Sequence, residues 1–110
     1  MRIYIAGPYG DHNTEATIAA NVRRADRVAR VFMRLGHEVY VPHKMSWGWE
    51  KDTALSAEDF KRLDYTFLRY WATALYRIPG ESKGSDAEVD IAKSLGYILV
   101  LAERYINLSQ

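Results

Sequence analysis

The feature that most constrains the fold of this chain is a regular alternation of short apolar runs with segments of helical periodicity. The four predicted strands are Ile3–Ala6, His37–Val41, Ala74–Ile78 and Tyr97–Leu101. Gly and Pro residues follow the first three runs, as is typical of strands that end in turns. Strands that alternate with helices form right-handed βαβ units, so the pattern predicts an α/β fold with a parallel sheet.

The segments between these strands carry the signals of helices. The predicted helical stretches run from about Ile18 to Leu35, from Ala57 to Trp71 and from Ser85 to Leu95, and a short helical piece is predicted within Ala102–Gln110. Apolar residues of the first helix recur every three or four positions, which is one face of an amphipathic helix. Asn13 or Thr14 is expected to cap its start and Gly36 to end it. Ser56 and Asp59 have the spacing of a capping box.

The length of 110 residues predicts one domain, covering positions 1–110. The fold class is therefore a single flavodoxin/Rossmann-like α/β domain, with a four- or five-stranded parallel sheet and helices on both faces. Ligands of open parallel sheets bind outside the carboxyl ends of the strands. The candidate loops follow the first three strands and cover Gly7–Asn13, Pro42–Leu55 and Pro79–Ser85.

Composition narrows the classes of partner. Fifteen basic and fourteen acidic residues nearly cancel, which is not the balance of a dedicated nucleic-acid binder. The absence of cysteine excludes disulfides, thiolate zinc sites and a cysteine nucleophile. No apolar run is long enough to cross a membrane or to serve as a signal peptide. We therefore expect a cytoplasmic protein whose partner is a small molecule, not a nucleic acid polymer or a membrane.

Two carboxyl residues are candidates for chemistry, each with an ordinary structural alternative. Glu88 either closes a capping box with Ser85 or acts as a nucleophile toward an anomeric carbon at the mouth of the sheet. Asp64 is either an exposed helix residue or a second carboxylate at the same site. Two carboxyls at one site can divide the nucleophile and proton-donor roles.

The loops add candidates for substrate binding. The Gly/Ser segment from Pro79 to Ser85 leads into a helix, so its backbone N–H groups favour an anion, although an ordinary strand-to-helix turn explains it equally well. Tyr9 either packs on a neighbour or contacts a substrate hydroxyl or a carboxylate, and His43 is a candidate general acid or base. No metal site is expected around His43. Trp47 and Trp49 either cover the core or stack on a nucleobase.

Three segments resemble the nucleoside 2-deoxyribosyltransferase superfamily. They are Met1–Tyr9, Leu35–His43 and Ile78–Glu88, the last continuing to Gly96. Ser82, Gly84 and Glu88 are similar to a Ser-x-Gly-x-x-x-Glu motif of that superfamily. The spacing also suits its nucleotide N-glycosidase branch and related small phage and bacterial proteins.

The resemblance implies a role for each matching residue. Glu88 would attack C1′ and form a glycosyl-enzyme intermediate, Asp64 would position the sugar or protonate the departing base, and Tyr9 would orient the nucleophile. Asn107, within an Ile-Asn-Leu match at 106–108, would reach the site of a neighbouring subunit. The residues expected to bind substrate are Gly7, His43, Trp47, Ser82, Gly84, Ser85 and Asn107, with Ser82, Gly84 and Ser85 around a 5′-phosphate.

The sequence thus predicts cleavage or transfer at the N-glycosidic bond of a nucleoside or nucleoside 5′-monophosphate, without metal or organic cofactor. The alternatives are a non-catalytic nucleotide-binding module and a structural partner protein. Asp86 stands where the superfamily has a small residue, and we expect its charge to raise the pKa of Glu88. A site at one sheet edge needs a cover, either from the Trp47–Trp49 loop or from a neighbouring subunit, so we expect a homodimer or higher homo-oligomer.

Overall fold

The computed structural model describes residues 1–10 and 14–107, and within them strands and helices alternate along the chain. The strands are β1 (Arg2–Ala6), β2 (Glu38–Tyr40), β3 (Ala74–Arg77) and β4 (Leu99–Leu101). The helices are α1 (Glu15–Arg34), α2 (Pro42–Met45), α3 (Ala57–Tyr70) and α4 (Lys83–Leu95), with 3₁₀ turns at Trp49–Lys51 and Glu103–Tyr105. The predicted α/β class is confirmed.

All four strands are parallel, in the order β2-β1-β3-β4. In β1, Ile3 pairs with Val39 of β2 on one side and with Ala74 of β3 on the other. The chain builds outward from β1 to β2 and then returns to the other side of β1. The order of the strands therefore reverses between β1 and β3, which is where sheets of this kind bind ligands.

Helices cover both faces of the sheet, as predicted. Ile3 and Ile5 of β1 pack with Phe32 of α1 on one face. Tyr4 lies on the other face, in a core with Leu68 of α3 and Ala92 of α4. From Ile3 to Ala6, successive residues of β1 thus point to opposite faces and each is fully buried, whereas Arg2 at the start of the strand is exposed. A central strand buried on both sides explains why the run from Ile3 to Ala6 lacks charged residues.

The helix ends follow the predicted signals with one exception. The Thr14 hydroxyl accepts a hydrogen bond from the Thr17 amide and caps α1, whereas the alternative cap, Asn13, lies outside the described residues. Ser56 and Asp59 form the expected capping box of α3. Gly36 follows α1 with a φ of 90°, a left-handed conformation that glycine adopts without steric cost. The exception is α4, which begins at Lys83 and not at Ser85.

Smaller differences affect the loops. Both β2 and β4 are three residues long, shorter than predicted. His37 and Val41 lie outside β2, where Val41 is the N-cap of α2, and Tyr97 and Ile98 lie outside β4. The segment predicted as a loop after β2 contains α2 and a 3₁₀ turn. The short helical piece near the carboxyl terminus is the turn at Glu103–Tyr105, and residues 108–110 lie outside the described part. Among the helices that the structure describes, none is long and apolar enough to cross a membrane.

Candidate active site

The Glu88 carboxylate is held by a hydroxyl from the central strand. Its Oε2 atom accepts a hydrogen bond from the Tyr4 hydroxyl. The Tyr4 side chain is fully buried within β1, so its hydroxyl has a fixed position relative to the sheet. This bond holds the Glu88 side chain of α4 over β1.

The predicted capping box of Ser85 and Glu88 is wrong. Ser82 is the N-cap of α4, and its Oγ accepts a hydrogen bond of 3.1 Å from the Ser85 amide. Ser82 has an extended backbone with a φ of −164°, whereas Ser85 already lies within the helix. Glu88 is therefore too far along the helix to serve the cap, and its carboxylate is available for another role.

Asp64 has a matching arrangement on the neighbouring strand. Its Oδ1 atom accepts a hydrogen bond of 3.1 Å from the hydroxyl of Tyr40, the last residue of β2. Tyr40 pairs with Tyr4 in the sheet, and their ring centroids are 5.6 Å apart. The four residues form what we call the carboxylate–tyrosine cluster (Tyr4, Tyr40, Asp64 and Glu88). The interpretation of Asp64 as a fully exposed helix residue is wrong, because it is half-buried in this cluster.

Burial shifts the protonation of both carboxyls. It raises the pKa of Glu88 from 4.5 to about 7, and the nearby Asp64 charge adds to this while the Tyr4 hydrogen bond opposes it. It also raises the pKa of Asp64 from 3.8 to about 6, against the opposing Tyr40 hydrogen bond. The Asp64 charge acts on Glu88, so ionisation of one carboxyl disfavours ionisation of the other. Such a pair can supply an acid and a base at the same site.

Asp86 is not the source of the raised Glu88 pKa, contrary to the prediction. Its carboxylate points to Arg77, with Oδ1 2.8 Å from the Arg77 Nη2 atom, and its side chain is 68% exposed. The repulsion on Glu88 comes from Asp64 instead. The ion pair with Arg77 and the surrounding water weaken the electrostatic effect of the Asp86 charge on Glu88.

The tyrosine whose hydroxyl donates a hydrogen bond to Glu88 is Tyr4, whereas the sequence predicted that Tyr9 orients Glu88. The Tyr9 hydroxyl lies 3.3 Å from Oε2 of Glu50, and burial together with that carboxylate raises the pKa of Tyr9 to about 12. Sequence reasoning passed over Tyr4 because it lies inside a strand and not in a loop. The available signal was a tyrosine within an aliphatic run, since a buried phenol needs a hydrogen-bond partner.

Arg77 at the end of β3 organises the loop that leads into α4, and the sequence analysis missed it. Its guanidinium donates to the carbonyl oxygens of Ile78 (2.5 Å), Gly80 (2.9 Å) and Ser82 (3.4 Å). The side chain is only 20% exposed. One partly buried cation therefore holds three carbonyls at and within the predicted phosphate loop.

The residues of that loop differ in what they offer a ligand. Ser85 is 2% exposed and its hydroxyl accepts a hydrogen bond from Ser82, so its side chain is shielded from solvent, and its predicted contact with phosphate stays a prediction. Gly84 lies at the exposed start of α4, and a Cβ atom there would have no atom within 4 Å. The exposed backbone around Gly84 and the half-buried Ser82 remain the accessible part of the predicted cradle.

Two glycines allow the loops after β1 and β3 to meet. A Cβ atom at Gly7 would lie 2.9 Å from Cβ of Ile78, closer than side chains pack. Gly80 has a φ of 128°, and a Cβ there would lie 2.8 Å from Cγ of Pro8. Both contacts lie where the strand order reverses. Gly7 is thus required for backbone approach, and its predicted contact with substrate stays a prediction.

His43 is buried and linked to the first loop, and its predicted acid–base role stays a prediction. It is 4% exposed, and its Nε2 atom lies 3.0 Å from the Gly7 carbonyl oxygen and 3.1 Å from that of Pro8. Both partners are acceptors, so Nε2 carries the proton and Nδ1 does not. Burial lowers the pKa of His43, which favours this neutral form. The ring links α2 to the first loop and is shielded from solvent.

The tryptophan segment is exposed and linked to the first loop. Trp47 is 53% exposed and Trp49 is 44% exposed, so they do not complete the core. The Gly48 amide donates a hydrogen bond to the Glu50 carboxylate. The same carboxylate accepts a hydrogen bond from the Tyr9 hydroxyl. The predicted stacking of Trp47 on a base stays a prediction.

Two further features lie outside the cluster. Asn107 is exposed, and its predicted contact with a neighbouring subunit stays a prediction, while Leu108 of the same motif lies outside the described residues. A cavity of about 390 Å³ lies beside Tyr76, on the α1 face of the sheet and away from the carboxyl pair. In residues 1–10 and 14–107, no group of three His, Asp or Glu side chains is placed to hold a metal ion.

Comparison of the sequence with protein-family models and with curated proteins finds no match. The interpretation of the site therefore depends on its geometry and chemistry. The central observation is that two half-buried carboxyl groups, Glu88 and Asp64, each accept a hydrogen bond from a tyrosine, and that the two tyrosines lie on adjacent strands.

Proposed function

We propose that this protein cleaves or transfers the N-glycosidic bond of a nucleoside or nucleoside 5′-monophosphate, with Glu88 as the nucleophile. The observation that carries the proposal is the Glu88 carboxylate, held by Tyr4 with Asp64 close enough to raise its pKa. The resemblance to the nucleoside 2-deoxyribosyltransferase superfamily supports the same chemistry. Carboxylate nucleophiles at sugar carbons need a fixed orientation and a second carboxyl as acid.

The proposed reaction has two balanced steps. In the first, an oxygen of Glu88 bonds to C1′, the C1′–N bond breaks, and its electron pair leaves with the base while Asp64 donates a proton to that base. In the second, Asp64 takes a proton from water or from the N–H of an incoming base. That nucleophile bonds to C1′ and releases Glu88 as a carboxylate.

The shared proton must lie on Asp64 when the bond breaks. Burial raises the pKa of both carboxyls, so either of them can hold this proton near neutral pH. The sugar gains positive charge at C1′ as the base departs. A cation beside Glu88 favours its ionised form, so the developing charge moves the proton toward Asp64. The carboxyl pair supplies this acid–base chemistry without a cofactor.

Other parts of the structure suit the remaining groups of a nucleotide. The exposed start of α4 offers the Gly84 backbone to a 5′-phosphate, beside Ser82. Trp47 and Trp49 offer exposed rings to a base. We propose further that a homodimer or larger homo-oligomer is the active unit, because these rings are too exposed to enclose a site within one subunit.

The test is release of free base from a panel of nucleosides and 5′-monophosphates, with and without an acceptor base. We expect the wild-type protein to release base and E88Q to lose this activity while keeping its fold. E38Q is the matched control, because Glu38 is an exposed glutamate at the start of β2, at the end of the sheet opposite the candidate loops, and should retain activity. Mass spectrometry of wild-type protein and slow substrate should detect a glycosyl group on Glu88. No base release from any substrate by folded protein would refute the proposal.

A second candidate function is nucleotide binding without catalysis. The open start of α4 and the exposed tryptophans favour it, because neither feature requires a reactive carboxyl. Titration calorimetry separates the two functions. If the protein is a binding module, the wild-type protein and the E88Q variant should bind a nucleotide with the same affinity, and neither should release base.

A further inference from the structure

Tyr40 is packed as a rigid support beside the carboxyl pair. Its ring is stacked on Phe67 of α3, with centroids 4.0 Å apart and planes 8° apart. On its other side lies the Tyr4 ring, with centroids 5.6 Å apart. Phe67 lies three positions after Asp64, so both occupy the same side of α3. The stack therefore fixes Tyr40 relative to the helical turn that carries Asp64.

The hydroxyl of Tyr40 reaches the Asp64 carboxylate across the short space between β2 and α3. It donates to Oδ1 at 3.1 Å, and the whole Tyr40 residue is only 7% exposed. A buried ring with three aromatic neighbours (Tyr4, Phe67 and Trp71) has few available rotamers, so the hydrogen bond constrains Asp64 as well. Wild-type Asp64 is thus held at one oxygen, as Glu88 is held by Tyr4.

We propose that Tyr40 is a positioning residue, which orients the Asp64 carboxyl for proton transfer to the departing base. The inference rests on the proposed function and adds a residue to it. The Tyr40 hydroxyl donates more strongly to the ionised carboxylate than to the neutral acid, so it makes Asp64 the readier proton donor. Asp64 would otherwise hold its proton more tightly in this partly buried place.

Within residues 1–10 and 14–107, the titratable groups that face Asp64 are Tyr40 from β2, Tyr4 from β1 and Glu88 from α4. Among them, Tyr40 is the group that the structure bonds directly to Asp64. Loss of its hydroxyl should therefore raise the pKa of Asp64 above its value of about 6.

The first variant is Y40F, which retains the stacked ring. The matched control is Y76F, because Tyr76 is also a buried strand tyrosine whose hydroxyl donates a hydrogen bond, to the Glu103 carbonyl at 2.6 Å. That bond lies on the opposite face of the sheet. Carbon-13 NMR of the labelled carboxyls measures the pKa of Asp64 without any substrate. We expect a rise of about one pKa unit in Y40F and none in Y76F.

Kinetics supply the second measurement. We expect kcat for base release to fall about tenfold in Y40F with KM within about twofold, because a poorly oriented acid slows the chemical step and not binding. The limb of the pH–rate profile that follows Asp64 should move by the same amount as the NMR titration. An unchanged Asp64 pKa in Y40F, or an equal change in Y76F, would overturn the inference. Absence of base release by wild-type protein refutes the proposed function instead, and the NMR comparison still decides whether Tyr40 controls Asp64.

Discussion

An ionised Glu88 should destabilise the folded protein. Its pKa is raised from 4.5 to about 7, chiefly by burial. A carboxyl with a raised pKa binds its proton more tightly in the folded than in the unfolded state. The stability that it contributes is therefore complete below pH 4.5 and is lost as the pH rises through 7. Each pKa unit corresponds to about 1.4 kcal/mol, so the loss between pH 5 and pH 8 is about 2 to 3 kcal/mol.

The variant E88Q should not lose stability in this way between pH 5 and pH 8. Glutamine has nearly the same shape, its carbonyl oxygen can accept the Tyr4 hydrogen bond, and it carries no charge. The free energy of unfolding of E88Q relative to wild type should therefore increase by about 2 to 3 kcal/mol from pH 5 to pH 8. The melting temperature at pH 8 should rise by several degrees. The same variant should release no base, so a gain in stability would accompany the loss of activity.

Urea denaturation at pH 5 and pH 8, followed by tryptophan fluorescence, measures the effect directly. E81Q removes a charge from an exposed residue and should change the unfolding free energy by less than about 0.5 kcal/mol at both values. The reasoning would be refuted if the difference in unfolding free energy between E88Q and wild type were the same at pH 5 and pH 8. It would mean that Glu88 is not held in its buried position in solution.

Two further substitutions test the geometry of the site. Y4F should raise the pKa of Glu88 beyond about 7, because it removes a hydrogen bond that favours the carboxylate, and carbon-13 titration would show an unchanged value if that bond were absent. G7A should destabilise the protein by about 1 to 3 kcal/mol in urea denaturation, because its Cβ would lie 2.9 Å from Ile78. G84A adds a Cβ in open space and serves as its control. Equal stability of G7A and G84A would contradict the close approach of the two loops.

Much of the fold followed from local patterns in the sequence. The apolar run of β1, flanked by Gly7 and Pro8, predicted a buried strand, and the spacing of Ser56 and Asp59 predicted the start of α3. These signals act over a few residues, so they can be recognised without knowing the rest of the chain. The start of α4 was mispredicted because both Ser82 and Ser85 have the residue type of a cap. Only the backbone conformation decides between two such neighbours.

The sequence by itself determined the alternation of strands and helices, the caps, and the two carboxyls that carry the candidate chemistry. The tertiary structure decided which tyrosine hydroxyls donate hydrogen bonds to these carboxyls. Asp64 and Glu88 lie on different helices, and they come together because α3 and α4 cover the same face of the sheet. Tyr4 and Tyr40 are aligned by the register of β1 and β2. Strand order and register depend on pairing between distant segments, which a local pattern of side chains does not encode.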